Sequence, residues 1–395
     1  MSVSRKSLRR CGIVDVSSKL WTAGSVYTKT LAHSLREACR ASDVGLVVLS
    51  QSSNELLRHA FPVDVNAVVE PPYFRGEWRL RSALGLPAKS SLFHSALLYQ
   101  IDVLVPVTEP PPVASPTVKA VGWIPDFQHV YLPQYFSSQE CEGRDQCFKA
   151  LARDAALVML SSRTALEHFT AFAPEQAHKA RVASFPSLTA FEPLAADVRP
   201  SVRQFHLPDK FALIANQFWE HKNHMIVVEA LALLRRKGIR IPAVMTGLPA
   251  DYRRHDHRSF SHVLQRIAAE QMGDQITVLG LVDRAVLMDL LRATALVLQP
   301  SRFEGWSTTV QDAKALGRPL LCSDLPIHRE QAPGSLGFFP CDRADVLAEQ
   351  IESIWPKLEP GPCPEEESRA HVNEREFARR YGETVLHLCQ EAYSA

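Results

Sequence analysis

The chain has 395 residues, 46% of them hydrophobic and 22% charged; this is ordinary globular usage, which excludes a disordered, collagenous or coiled-coil protein and predicts two domains. With 44 Lys and Arg against 43 Asp and Glu, the formal charge is +1, so no global field favours nucleic acid or another polyanion. No apolar run approaches the roughly 18 residues that span a bilayer. The basic opening MSVSRKSLRR is followed by a segment broken by Asp15 and Lys19, with no small-residue cleavage site. A signal peptide is therefore not expected, and the cytosol is the expected compartment, with at most a peripheral contact of the basic end at an anionic membrane. The 8 cysteines are scattered without CxxC spacing and are expected to be reduced, mostly buried thiols.

In chain order, the first half reads as strands at 12–16, 44–49, 103–107, 119–124, 156–160 and 182–185, with helices at 24–39, 144–154 and 162–172. Residues 186–208 lack periodicity and are rich in proline, which places a linker there. Short aliphatic strands then follow at 211–215, 241–246, 275–279, 295–299, 320–323 and 337–339. They alternate with amphipathic helices at 222–237, 258–271, 284–292, 309–316 and 343–354, the pattern of a parallel sheet with crossover helices. The fold class is α/β, with domains expected at 1–190 and 205–373. A proline-rich break at 356–364 precedes a last helix at 374–395, which lies too far along to belong to the second sheet and is expected to cross back to the first.

Ligands of open α/β sheets bind beyond the carboxyl ends of the strands, so four loops carry the candidate chemistry. SSKLWTAGSVY (17–27) places Gly24 at a helix start, where a phosphate or acceptor can approach backbone amides. GWIPDFQHVYLP (122–133) interleaves Asp126, Gln128 and His129 with Trp123, Phe127 and Tyr131. Aromatic faces beside polar groups suit sugars, and the plainer reading of His129 is a surface histidine. NQFWEHKNH (216–224) sets Lys222 at the start of a helix after the first strand of the second domain; amides, helix dipole and ammonium would all face one diphosphate there. The HxxH pair His221 and His224 has no carboxylate or thiol spaced to complete a metal site, and His255-Asp256-His257 reads as a polar loop.

The fourth loop, PSRFEGWSTTVQDAKALGRP (300–319), is the strongest. Glu304 ends a loop, Gly305 permits a tight turn, and Thr308 with Gln311 has capping-box spacing. The amides of 307–309 are expected to point into a cleft. Asp312 follows Glu304 by eight residues, in the expected first helical turn, where it can bond ribose hydroxyls while Glu304 reaches a sugar or ribose hydroxyl. Trp306 lies between them in this loop.

These segments resemble the retaining GT-B glycosyltransferases of family 4 (glycosyl transferases group 1), whose E-x7-E motif SRFEGWSTTVQDAKALGRPLLCSDLP matches. NQFWEHKNH resembles the family's phosphate-binding segment, and WTAGSVY and WIPDFQH resemble its first glycine loop and acceptor-side loop. The resemblance implies two Rossmann-like domains facing across a cleft and a C-terminal helix returning to the first. It further implies a nucleotide diphosphate sugar held by Gly24, Asn216, Gln217, Lys222, Glu304, Gly305, Trp306, Ser307, Thr308 and Asp312. The acceptor glycan, free or lipid-linked, falls to Trp123, Asp126 and His129, with Asp126, Lys222 and Glu304 as the catalytic set. Three positions depart from the pattern: Asp312 replaces a glutamate, Gln217 an arginine and Pro125 a histidine. No Asp-x-Asp pair is present, so no metal cofactor is expected and Lys222 is expected to neutralise the diphosphate. The activity implied is hexosyl or deoxyhexosyl transfer with retention, most often in surface polysaccharide or lipopolysaccharide assembly. A GT-B epimerase or phosphorylase and a non-catalytic nucleotide-sugar binder are the alternatives.

Overall fold

The computed structural model describes residues 7–16, 22–50, 66–69, 91–111, 117–193, 198, 202–251 and 258–395. Residues 17–21 of the first glycine loop and the His255-Asp256-His257 segment lie outside them. The chain divides into two compact units, one of Met1–Phe127, Ser138–Phe191 and Glu376–Ala395, the other of Gln128–Ser137 and Glu192–Arg375.

The first unit is built on a parallel sheet of β1 (Arg10–Val14), β2 (Gly45–Ser50), β3 (Asn66–Val69), β4 (Val103–Val107), β5 (Lys119–Ile124), β6 (Leu157–Leu160) and β7 (Ala180–Val182). Their order is β3-β2-β1-β4-β5-β6-β7. Its helices are α1 (Thr22–Ala41) and α2 (Ser91–Leu98), then, after the short α3 (Gln128–Tyr131) of the other unit, α4 (Ser138–Asp154) and α5 (Arg163–Phe172). β4 and β6 are buried along their whole length, as strands covered on both faces must be. β1 starts two residues before the expected 12–16 because the Asp102 carboxylate accepts the Arg9 and Arg10 amides at 2.8 and 2.9 Å, which lines Arg10 up with Gly45. β3 and α2 were not expected at all.

The second unit repeats the plan with β8 (Ala212–Ala215), β9 (Ala243–Thr246), β10 (Ile276–Gly280), β11 (Leu296–Gln299), β12 (Leu320–Ser323) and β13 (Gly337–Phe339). The order is β10-β9-β8-β11-β12-β13, all parallel. Between and after them run α6 (His224–Arg236), α7 (Arg258–Ala269), α8 (Arg284–Ala293), α9 (Thr308–Ala315), α10 (Pro326–Gln331), α11 (Ala344–Ile354) and α12 (Pro364–Ser394). Successive residues of β8 serve opposite faces: Ile214 joins a core with Val227, Leu231 and Met245, and Leu213 one with Leu291, Val297 and Val310. Chain order reverses between β8 and β11, the switch point at whose carboxyl end open α/β sheets bind their ligands.

The last helix begins ten residues earlier than expected. Pro364 occupies its first position, where a missing N–H costs nothing, and Glu365, Glu366 and Glu367 complement the dipole. From Glu376 onward it belongs to the first unit. Gly382 makes that packing possible, since a Cβ there would sit 2.1 Å from the Ser34 carbonyl of α1. Tyr381 donates to Tyr27 at 3.3 Å, and Arg181 pairs with Glu391. Both units are thus Rossmann-like. Among the described residues no helix is long and apolar enough to cross a membrane.

Candidate functional site

The loops after β8 and β11 bring the two strongest sequence candidates together. Lys222 Nζ donates to Glu304 Oε1 at 2.6 Å, with side chains 13% and 8% exposed. A carboxylate this buried needs partners, and it has a second one. Gln299, the last residue of β11, donates from Nε2 to Glu304 Oε1 at 2.8 Å and to Ser301 Oγ at 3.0 Å, while its Oε1 accepts from Asn216 Nδ2 at 3.0 Å. One continuous hydrogen-bond chain therefore runs from the end of β8 to Lys222. Lys222 itself ends a 3-10 turn, Glu220–Lys222, and α6 starts only at His224. The expected helix start at 222 is corrected because Asn223 takes a left-handed backbone, φ 57°. Its amide Nδ2 ties the turn to the Pro300 and Cys341 carbonyls at 3.1 and 2.9 Å.

Gln217, where the resemblance places an arginine and a donor contact, instead accepts the Leu248 amide with its Oε1. Phe218 returns a backbone bond to Leu248 O at 3.1 Å. Gly247 is required at this junction: its φ is +150°, and a Cβ would lie 2.0 Å from the Asn216 carbonyl oxygen. The two histidines of HxxH part company. His221 packs near Trp219 and Tyr135, and His224 is buried in a stack on Phe218 with ring centroids 4.3 Å apart.

Burial pushes the His224 pKa down to about 3, with the Lys222 charge adding to it. The Asn216 backbone lies close enough to oppose the shift, although among the described residues neither ring nitrogen meets hydrogen-bond geometry. Between pH 6.5 and about 3 the unfolded chain therefore binds a proton that the folded chain refuses. This stability is whole above the unfolded pKa near 6.5 and falls by up to about 1.4 kcal/mol per pH unit below it. His224→Phe, which keeps the stack, is expected to flatten that acid limb in denaturant titrations at pH 7 and 4.5. An unchanged limb would assign the acid sensitivity elsewhere.

At α9 the cap is Ser307, whose hydroxyl accepts the Val310 amide, rather than the expected Thr308. Gln311 is correspondingly freed from capping and donates to both oxygens of Glu374 at 2.9 Å. The Ser307 amide is also taken, by Gln331 Oε1 at 3.0 Å, so it is not among the ligand-facing amides expected at 307–309. Gly305, Trp306 and Thr308 are half-buried in the same loop. Asp312 lies in the second turn of α9, not the first, and so gains little from the dipole. Its buried carboxylate is met by Arg284 Nη1 and Nη2 at 3.2 and 3.4 Å. Burial works against the Arg284 charge, but Asp312 and Glu192 outweigh it and hold the guanidinium pKa above its ordinary value.

His328 of α10 completes this region. Its Nδ1 lies 2.9 Å from the Ser323 carbonyl, which can only accept, so Nδ1 carries the proton. Nε2 is buried with no partner among the described residues. Burial lowers its pKa, against the opposing charge of Glu304. Nothing in the sequence spacing singles out Gln299, Arg284, His328 or Gln331, which reach the site from the ends of three strands, β11, β10 and, for the last two, β12.

In the first unit, Gly24 is buried in the first turn of α1, and its carbonyl accepts the Thr28 hydroxyl at 3.0 Å. Trp123, expected to face an acceptor, is a core residue: 3% exposed, it stacks on Tyr27 at 4.2 Å and donates to Ser161 Oγ at 3.2 Å. Asp126 is half-buried, and its charge reaches His168. His129 is buried, not at the surface, in the 128–137 segment that groups with the second unit. There Tyr131 stacks on Phe303 at 6.0 Å.

Residues 199–357 match the family model for glycosyl transferases group 1. No curated protein matches the chain. Among solved structures it is similar to a glycosyltransferase from Rickettsia africae, at 13% identity, TM-score 0.63 and 98% coverage of both chains. It is also similar to sucrose-phosphate synthase from Thermosynechococcus elongatus, at 16% identity, TM-score 0.62 and 97% coverage of both. Anabaena HepE in complex with UDP-glucose matches at 15% identity and TM-score 0.61, covering 97% of this chain and 98% of that one. At such identities these structures speak for the GT-B fold over the whole length, and the matched domain speaks for the chemistry. The chain is a glycosyltransferase whose second unit carries the glycosyl transferases group 1 domain.

Proposed function

We propose that the protein transfers a hexosyl or deoxyhexosyl unit from a nucleotide diphosphate sugar to a glycan hydroxyl with retention at the anomeric carbon. The Lys222–Glu304 pair at the β8/β11 switch point carries this reading. A cation and a carboxylate held side by side match the two ends of the reacting bond: the diphosphate needs the ammonium, and a sugar hydroxyl needs an acceptor. Binding opens the pair, Lys222 turning to the phosphates and Glu304 receiving the hydroxyl while Gln299 holds it in place. The bond from the anomeric carbon to the leaving phosphate oxygen breaks as the bond to the acceptor oxygen forms on the same face. The acceptor proton passes to the departing phosphate, and Lys222 stabilises the charge that develops there. Asp126 is the proposed partner of the acceptor hydroxyl. Because Lys222 neutralises the leaving group, no metal is required, and EDTA is expected to leave the rate unchanged.

The UDP-glucose bound to Anabaena HepE makes UDP the first nucleotide to try. The family resemblance supports the retaining course and a place in surface polysaccharide or lipopolysaccharide assembly, where the acceptor is a growing glycan. A thermal-shift panel of UDP, GDP, ADP and dTDP with their common sugars tests the donor site. A ligand at 100 times its Kd is expected to stabilise by about 2.7 kcal/mol, and Lys222→Ala should shrink that shift. No shift with any of them would defeat the reading. Proton NMR of the first product formed tests the stereochemistry.

A further inference from the structure

His328, in α10 beyond the carboxyl end of β12, is wholly buried, and only one of its ring nitrogens is bonded. Nδ1 lies 2.9 Å from the Ser323 carbonyl and 3.1 Å from its hydroxyl, and that hydroxyl donates in turn to the Ser301 carbonyl. With a proton held at Nδ1, Nε2 is a buried lone pair that no donor meets among the described residues. A bare polar atom inside a protein is costly and calls for a reason. Burial holds a second proton off the ring; against it the Glu304 charge pulls, more strongly than the Lys222 charge repels. Those are the two charges among the described residues that bear on the ring. Cys341, which meets the Ser301 carbonyl at 3.6 Å, has its thiol pKa pushed up by burial and carries no charge near neutrality. Arg329, the next residue of α10, pairs with Asp324 at the surface.

We propose that His328 is a positioning residue that takes up a proton at Nε2 when the donor binds and replaces Lys222 as the counter-charge of Glu304. This rests on the nucleotide-sugar reading of the site, in which Lys222 leaves Glu304 for the diphosphate. Lys222 and Gln299 both donate to Glu304 Oε1, at 2.6 and 2.8 Å. Once Lys222 turns away, only a neutral amide remains on a carboxylate whose side chain is 8% exposed. A buried carboxylate that loses its cation tends to take a proton instead, and a protonated carboxyl is the poorer acceptor for a sugar hydroxyl. A second cation prevents this. Gln299 does not supply it, and its two amide N–H groups are already taken by Glu304 and Ser301. A sugar hydroxyl is not the partner of Nε2 either: the atom is closed off from solvent, so a proton reaches it on fleeting openings where a sugar ring does not. The proton comes from solvent and returns there when the product leaves, and no bond between heavy atoms is made or broken.

The test is calorimetric titration of UDP-glucose, GDP-mannose, ADP-glucose and dTDP-glucose into the wild type, His328→Asn and His328→Gln, in phosphate, HEPES and Tris buffers between pH 6.5 and 8.5. The diphosphate of a nucleotide sugar does not titrate in this range, so the dependence of the heat on the buffer counts protons gained by the protein. For the donor it prefers, the wild type is expected to take up about half a proton or more at pH 6.5 and almost none at pH 8.5. Its affinity should fall as pH rises, by up to about tenfold per unit between the pKa values of the bound and free ring. In His328→Asn the amide Nδ2 stands in for Nδ1 and keeps the bond to Ser323, but no nitrogen titrates; the uptake and the pH dependence should both vanish. That loss is the readout a merely structural histidine would not give. His328→Gln should likewise take up no proton, and it carries the test if His328→Asn does not fold. If the wild type binds a donor without proton uptake, or if His328→Asn takes up as much as the wild type, the counter-charge role is wrong while donor binding stands. If the wild type binds none of the four, the donor reading itself fails and the role of His328 with it.

Discussion

Lys222→Ala is expected to lower kcat/KM for glycosyl transfer by about 10²- to 10³-fold, the usual loss when one preorganised donor to developing negative charge is removed. Lys222 is the cation that the β8 loop carries to the switch point, and the Asn223 turn fixes where its side chain starts. The loss should fall mainly on kcat, because charge on the leaving diphosphate grows as the bond breaks. Glu304→Ala should behave differently. It removes the sugar-hydroxyl acceptor, so transfer collapses, yet it also releases Lys222 from its partner in the ligand-free protein. Affinity for the bare nucleoside diphosphate should therefore change little or improve, whereas affinity for the nucleotide sugar falls. Initial-rate kinetics with titrations of both ligands separate the two variants. Equal loss of nucleoside diphosphate affinity in both would mean that Glu304 serves the phosphate side of the site.

Glu367→Ala is expected to destabilise the second unit by about 3–5 kcal/mol, read as urea-induced loss of helical circular dichroism. Arg292 is deeply buried, donating from Nε and Nη2 to Glu367 at 3.0 and 2.9 Å, and truncating Glu367 removes both of these bonds from a charge held inside the protein, with the Asp289 carboxylate farther off at 3.9 Å. Glu367→Gln keeps an acceptor for one of the two bonds and should cost less than half as much. Because Glu367 anchors the first turn of α12, the alanine variant should also lose protection from hydrogen exchange over 364–373 first. Equal stability of wild type and Glu367→Ala would mean that the early helix start rests on Pro364 and the dipole alone.

The early start of α12 is set by a contact distant in the chain and not by local propensity. The proline-rich stretch hid the first ten residues of α12, since local propensity says stop while a buried ion pair 75 residues away in the chain says continue. The same division runs through the site. Lys222 and Glu304 were legible because each follows a clear aliphatic strand and belongs to a type that needs a reason to be buried. Spacing does not separate a Ser307 cap from a Thr308 cap, and the choice falls to Ser307 only where Gln331 and Glu374 claim the neighbouring groups. Trp123 looked like a sugar-facing aromatic because strand-end aromatics carry no mark of which face is covered, and Tyr27 covers it.

By itself the sequence determined the alternation of strands and helices, the existence of two Rossmann-like units and the two loops that carry the central pair. Those features are written in periodicity and in residue type over short spans, where local physics decides. Only the tertiary structure decided the partners: Gln299 on Glu304, Gln217 on the Leu248 amide, Arg284 on Asp312 and Glu367 on Arg292. In a parallel sheet, neighbours at the carboxyl edge come from strands separated by whole crossover helices. The desolvation cost that forces each buried charge to find a partner therefore acts between residues with no spacing rule to link them.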